Sequence, residues 1–285
     1  MTGMIHSPQV PSDQASDPRP APSPFPESDR VIYTPKPLVE VVCQLRFSPI
    51  LKIDVVPPAD FQESIRSDFP TLRDRGPDLF DLPPDIPQRV AAIVKGALSL
   101  PLRQAAFDFI SPDGKWTLSL TRDFMALATS DYKRWEDFKG RLDGPFRALV
   151  DHYSPSFTRV GLRYQNLVRP EKVGLKGLPW SDLLQPHIIG MLASDTVSQL
   201  LRQNFSQSLI EIPSVLGFVT IRNGPAQVAP ENTPAYIIDN DFFTERSIQT
   251  QDVHNALDAL NQQSGRLFRW CITDVLHKAM APELV

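Results

Sequence analysis

The sequence predicts an α+β protein of two similar halves, each a curved antiparallel sheet packed on a long helix, behind a disordered N-terminal tail. Three observations predict it. Stretches of alternating apolar and polar residues recur on both sides of the chain's midpoint. Each set leads into a long stretch with apolar residues at helical spacing. The opening thirty residues carry proline, serine and aspartate and almost no large aliphatic. A chain of 285 residues, 41% hydrophobic and 22% charged, is long enough to bury a sizeable core and sits near globular norms.

Residues 1–30 contain too few apolar groups to offset the entropy of ordering them, so they are expected to be disordered. Their PRPAPSPFP stretch favours polyproline geometry and reads as either a docking peptide or a plain tail. Order is expected from about Tyr33. Val39, Val41, Cys43 and Leu45 alternate with Glu40, Val42, Gln44 and Arg46, the period of a strand. Phe61, Ile65 and Phe69 then form the stripe of a three-turn helix stopped by Pro70. The Pro- and Gly-rich segment 72–90 reads as a long loop. Segments 102–110, 116–122 and 124–130 read as a meander, with turns at Pro112-Asp113-Gly114 and Arg122-Asp123. A long helix follows, with Trp135, Phe138, Leu142, Phe146, Leu149 and Tyr153 on one face. Ser130 or Asp131 is placed to cap it, and Gly144-Pro145 to kink or divide it.

The element order then repeats without residue-level identity. Segment 157–168 alternates as a strand, and 178–192 is helical with a break at Pro186. Segments 200–212, 216–223 and 235–243 read as three strands. A last helix opens at Thr250 with Val253, Leu257 and Leu260, is interrupted at Gly265, and continues the stripe through Phe268, Cys271, Ile272 and Val275. The expected divisions are a tail over 1–30, a first half over 31–155 and a second over 156–285, as two units or one continuous domain. The strands form either one sheet per half or one sheet holding both.

Five stretches together resemble a sporadically distributed bacterial family of roughly this length: PLVEVVCQLRF (37–47), SPDGKWTLSLTRDFMALATSDYKRWEDF (111–138), FTRVGLRYQNLV (157–168), YIIDND (236–241) and CITDVLHKAM (271–280). The resemblance covers most of the chain from about residue 33. It implies no particular activity, cofactor or catalytic residue. The family's scattered distribution implies an accessory role, such as that of genes in mobile or defence-linked loci.

Composition narrows the function classes. A net charge of -4 gives no global attraction to nucleic acid or anionic lipid. No stretch reaches the length of a membrane span, and the N-terminus lacks a secretory signal pattern, so a cytoplasmic location is expected. Cys43 and Cys271 lie apart in apolar stretches, as lone core thiols do. The sequence lacks phosphate-loop, dinucleotide, HExxH and GxSxG motifs, and no two of its five histidines stand at i, i+3 or i, i+4. No cofactor is expected.

The candidate ligand-binding residues are Arg159, Arg163, Asp239 and Asp241. Arg159 and Arg163 share a strand face across Gly161, and their guanidinium forks suit an anion cradle. Asp239 and Asp241 share a face too and suit a divalent metal or acid-base chemistry. The alternative is that the four pair with one another as structural ion pairs. Glu40, Gln44 and Arg46 read as a wet sheet face. Tyr132, Trp116 and Trp135, near Lys133, Arg134 and Lys139, read either as base-stacking aromatics or as core. Asp274 and His277 stand at i, i+3, where a dyad is sterically possible.

The function expected is a cytosolic binding or interaction protein with a protein partner, an accessory component of a bacterial multigene system. The alternatives are a metal-dependent hydrolase or nuclease built on Asp239 and Asp241, and a nucleic-acid binder built on Arg159 and Arg163.

Overall fold

The computed structural model describes residues 23–74 and 106–285. In chain order the first elements are β1 (Val31–Ile32), β2 (Leu38–Phe47), α1 (Leu51–Val55), α2 (Ala59–Ile65) and β3 (Thr71–Asp74). Then come β4 (Phe107–Ile110), β5 (Trp116–Leu120), β6 (Phe124–Thr129), α3 (Trp135–Tyr153) and β7 (Phe157–Val168). Three short helices follow, α4 (Trp180–Leu183), α5 (Pro186–Ile189) and α6 (Asp195–Leu200). The chain closes with β8 (Ser206–Ile212), β9 (Gly217–Val228), β10 (Thr233–Thr244), α7 (Val253–Cys271), α8 (Asp274–Ala279) and β11 (Glu283–Leu284).

Nine strands form one antiparallel sheet in the order β3-β4-β5-β6-β2-β7-β10-β9-β8. A separate sheet for each half therefore gives way to one continuous sheet, joined where β2 pairs with β7. β1 and β11 make a two-stranded ribbon that ties the two ends of the described chain together.

Strand alternation sends two different sets of side chains to the two faces. Cys43 and Leu45 of β2, Leu162 and Tyr164 of β7, and Ile238 and Phe242 of β10 join one hydrophobic core with Phe138, Leu142 and Leu149 of α3 and Leu257, Leu260 and Leu267 of α7. The opposite face carries Glu40, Gln44, Arg163, Asp239 and Asp241 between two small apolar clusters, one around Val42 and Phe124, the other around Leu167 and Ile237.

The structure corrects several expectations. Phe61, Ile65 and Phe69 are all buried as a stripe, but the helix closes at Ile65 and Phe69 is reached by turns. Thr71–Asp74, overlapping the start of the segment 72–90 read as a loop, pairs with β4 as an edge strand. Residues 75–105, including the rest of that loop and the start of segment 102–110, lie outside the described residues. α3 runs unbroken through Pro145, because Leu142, Pro145, Phe146 and Leu149 are packed into the core and hold its register. Its N-cap is Arg134 with no side-chain cap bond, not Ser130 or Asp131. α7 likewise continues through Gly265, anchored on both sides by Leu260, Leu267 and Phe268. It ends at Cys271, and Thr273 caps a new helix by accepting the Leu276 N–H, which turns Val275 outward and Leu276 inward. Segment 200–212 is a strand only from Ser206, after α6.

The tail expectation is also corrected in part. Residues 1–22 lie outside the described residues, but Ser23–Arg30 docks on the body. Phe25 is 2% exposed and tilts against Trp270, and the Ser23 hydroxyl donates to Gln263 at 2.6 Å. Composition undercounts such a strap, since one buried phenylalanine and a few polar contacts suffice to seat a short segment on an existing surface.

Candidate functional site

The four residues singled out from the sequence meet on the helix-free face of the sheet. β7 and β10 are antiparallel neighbours with Arg163 opposite Asp241 and Gln165 opposite Asp239, so all four project to one side. Arg163 reaches diagonally to Asp239 and donates from Nε and Nη2 to its two carboxylate oxygens, both at 2.7 Å. Arg222 of β9 adds a second guanidinium 3.5 Å from the same carboxylate. Arg159 donates to Asp241 at 3.0 Å and to the Gln44 amide oxygen at 3.2 Å, and lies over the Phe243 ring. A side chain at Gly161 would put Cβ 2.4 Å from Arg159 Nη1, so glycine keeps the space the guanidinium occupies.

The geometry is that of the ion-pair reading. Asp239 has no exposed surface and Arg163 is 6% exposed, and fork-to-carboxylate bonding satisfies both groups. Burial disfavours the Arg163 charge, but the Asp239 carboxylate outweighs burial and holds the guanidinium above its ordinary value. The Nε/Nη2 edge of Arg163 is spent on Asp239, and both carboxylate oxygens of Asp239 accept from it. Among the described residues no group of three His, Cys, Asp or Glu side chains could hold a metal ion.

The same face is drier than expected. Glu40 sits opposite Gln165, beside Arg163 and Asp239. Burial pushes its carboxyl up to about 7, the Arg163 charge opposes the rise, and Asp239 adds to it. Gln165 is 1% exposed, and neither its amide oxygen nor its nitrogen has a hydrogen-bond partner.

On the helix side a cavity of about 620 Å³ opens between the strap, the start of α3, β7 and α7. Its volume falls in the usual range for small-molecule sites. Ser28–Tyr33 form one wall and Asp258–Gly265 of α7 another. Tyr132 and Tyr164 stand edge to face at 5.9 Å, and the Tyr164 hydroxyl donates to Asn261 Oδ1 at 2.7 Å. Burial pushes the Tyr132 hydroxyl up to about 12 and Tyr164 well above its ordinary value, so both are protonated donors. Trp135 stacks on Phe138 and donates its indole N–H to Asp258, which also accepts from Lys139. Arg30, also in the lining, makes a two-pronged bond to Glu136, 2.7 Å at each contact.

Trp116 and Trp135 are thus packed in the core rather than presented for stacking. Asp274 and His277 do not form a dyad: Asp274 is bonded to Arg269, and His277 Nδ1 meets the Tyr33 hydroxyl at 2.9 Å. Cys43 and Cys271 are fully buried, and burial pushes both thiols up, Cys43 to about 12. No described helix is long and apolar enough to cross a membrane.

Sequence reading missed this cavity. Tyr132, Trp135, Tyr164 and Arg266 were each visible as polar or aromatic positions, but the cavity's walls come from four separated segments, and no local spacing brings them together. No protein-family model matches the chain, and no curated protein matches it.

Proposed function

We propose that this chain is a binding protein and that the cavity between the strap, α3, β7 and α7 is its ligand site. The observation that carries the proposal is the cavity itself: a concave, open-mouthed space of small-molecule size, lined by hydrogen-bonding tyrosine and asparagine side chains and by aromatic rings. The Tyr164–Asn261 and Trp135–Asp258–Lys139 hydrogen bonds hold lining side chains in place, which suits orientation of a guest.

The accessory role in a bacterial multigene system, the cytoplasmic location and the protein partner belong to the same proposal and rest on the resemblance and the composition. So does the kinship of the two halves. Support for it comes from strand order: β4-β5-β6-β2 and β8-β9-β10-β7 run in the same sense outward-in, and each set leads to a long helix in the shared core.

The test is thermal melting of the full chain with and without the small-molecule fraction of its own cells. Gly265 lines the cavity, and a Cβ there would meet no atom within 4 Å, so Gly265→Trp fills the space without a backbone clash. A ligand that binds only the folded state raises the melting temperature. The proposal expects such a rise in the wild type and none in Gly265→Trp. No rise in the wild type, or the same rise in both, overturns it.

A further inference from the structure

We infer that the cavity takes a small organic anion carried on a flat, ring-bearing body. The inference rests on the cavity being the ligand site proposed above, and names the class of ligand.

Charge is the first support. The lining includes Arg30, Lys36, Lys133, Arg134, Arg266 and Arg269, against only Asp29 and Asp258, in a chain whose net charge is -4. Basic side chains are thus concentrated around one concavity of an acidic molecule. A concave site with low-dielectric walls focuses such a field on whatever enters. Asp258 contributes little against it, because its oxygens already accept from the Trp135 indole and the Lys139 ammonium, both at 2.7 Å. Five of these six cations have carboxylate partners: Arg30 with Glu136, Lys36 with Asp131, Arg134 with Asp137, Arg266 with Glu27 and Arg269 with Asp274. Apart from the two-pronged Arg30–Glu136 bond, these are solvent-screened contacts worth little individually, and a guest anion competes with them at small cost.

Shape is the second. Tyr33, Tyr132, Tyr164 and Phe268 line the space. Tyr33 meets Phe268 edge-on at 5.7 Å, and Tyr132 meets Tyr164 edge-on at 5.9 Å, an aromatic lining that suits a planar guest. The deep donors are the third. Asn261 accepts the Tyr164 hydroxyl through Oδ1, which assigns its Nδ2 as the donor end of the amide. Neutral donors of this kind suit the acceptor atoms of an anion without burying a second charge.

The experiment titrates the full chain with two fluorescent dyes that share a ring system, 8-anilinonaphthalene-1-sulfonate, an anion, and N-phenyl-1-naphthylamine, which is neutral. The sulfonate is expected to saturate one site, about tenfold or more tighter than the neutral dye, with affinity falling several-fold as salt rises. Lys133→Gln combined with Arg266→Gln should weaken the sulfonate several-fold and leave the neutral dye unchanged. Gly265→Trp should abolish both. Ala259→Phe, a second block in the same lining, covers the case in which the tryptophan disturbs the helix. If the neutral dye binds as tightly as the sulfonate, and both are displaced by the two blocking substitutions, the cavity is a ligand site and the anion inference is wrong. If neither dye shows saturable binding that the blocks remove, the ligand site itself is wrong.

Discussion

Asp239 has no contact with solvent and faces two guanidinium groups, so its charge is tolerated only while they stay in place. Asp239→Leu leaves Arg163 and Arg222 buried without a counter-charge and should cost about 3–5 kcal/mol in urea unfolding. Arg163→Met removes one of two cations and should cost less than Asp239→Leu, because Arg222 remains beside the carboxylate. The reverse order would mean that the pair is not the unit the geometry describes. Glu40 yields a pH prediction. Its carboxyl ordinarily titrates near 4.5 and is pushed to about 7 when folded. A carboxyl raised by folding binds more protons in the native state, so its contribution to stability is present below about 4.5 and lost as pH rises through about 7. Wild-type stability should therefore fall between about pH 5 and pH 8, and Glu40→Gln should flatten that slope, which urea unfolding at the two pH values measures. A slope unchanged by Glu40→Gln would place the titration elsewhere. At this scale the sequence was informative where strand parity decides the answer: Arg159 with Arg163, and Asp239 with Asp241, fall on common faces by counting in twos. It could not say which strands are neighbours, so Arg222 and Gln165 went unnoticed until β9, β10 and β7 lay side by side.

Among the elements, α7 and the strap shape the cavity. Gly265 lies inside a 19-residue helix without a positive φ or a close neighbour that would demand glycine. Gly265→Ala should thus stabilise the chain by about 0.5–1 kcal/mol, the usual cost of a mid-helix glycine, read as a higher melting temperature. Destabilisation instead would reveal a contact at that position that the structure does not contain. The strap is held by Phe25 against Trp270, by Arg30 against Glu136 and by two residues of strand pairing between β1 and β11. Phe25→Ala should release it, seen as faster amide exchange at Val31 and Ile32 with β7 unaffected. Equal acceleration in both would make the strap part of the global unfolding unit. The long helices were readable because their stripes are strongly periodic. Division of the first at Pro145 and interruption of the second at Gly265 did not occur, because packing on the sheet overrides local propensity. β1, β11 and α1 are too short to leave a periodic signal at all.

For the whole molecule, nine antiparallel strands present an apolar face to two long helices and a polar, ion-paired face on the other side. The sequence's α+β class and its strand, meander and helix order follow from that alternation. Joining of all strands in one sheet does not, because pairing of β2 with β7 spans more than a hundred residues and leaves no local mark. The same holds for the cavity, which exists only once the chain's N-terminal strap crosses a helix near its C-terminus. The central claim is that this space holds a ligand. Native mass spectrometry of the full chain isolated from its own cells, with Gly265→Trp prepared in parallel, tests it most directly. The account predicts a stoichiometric added mass of small-molecule size on the wild type that is missing from Gly265→Trp. A bare wild-type chain, or an adduct carried equally by both, would contradict it.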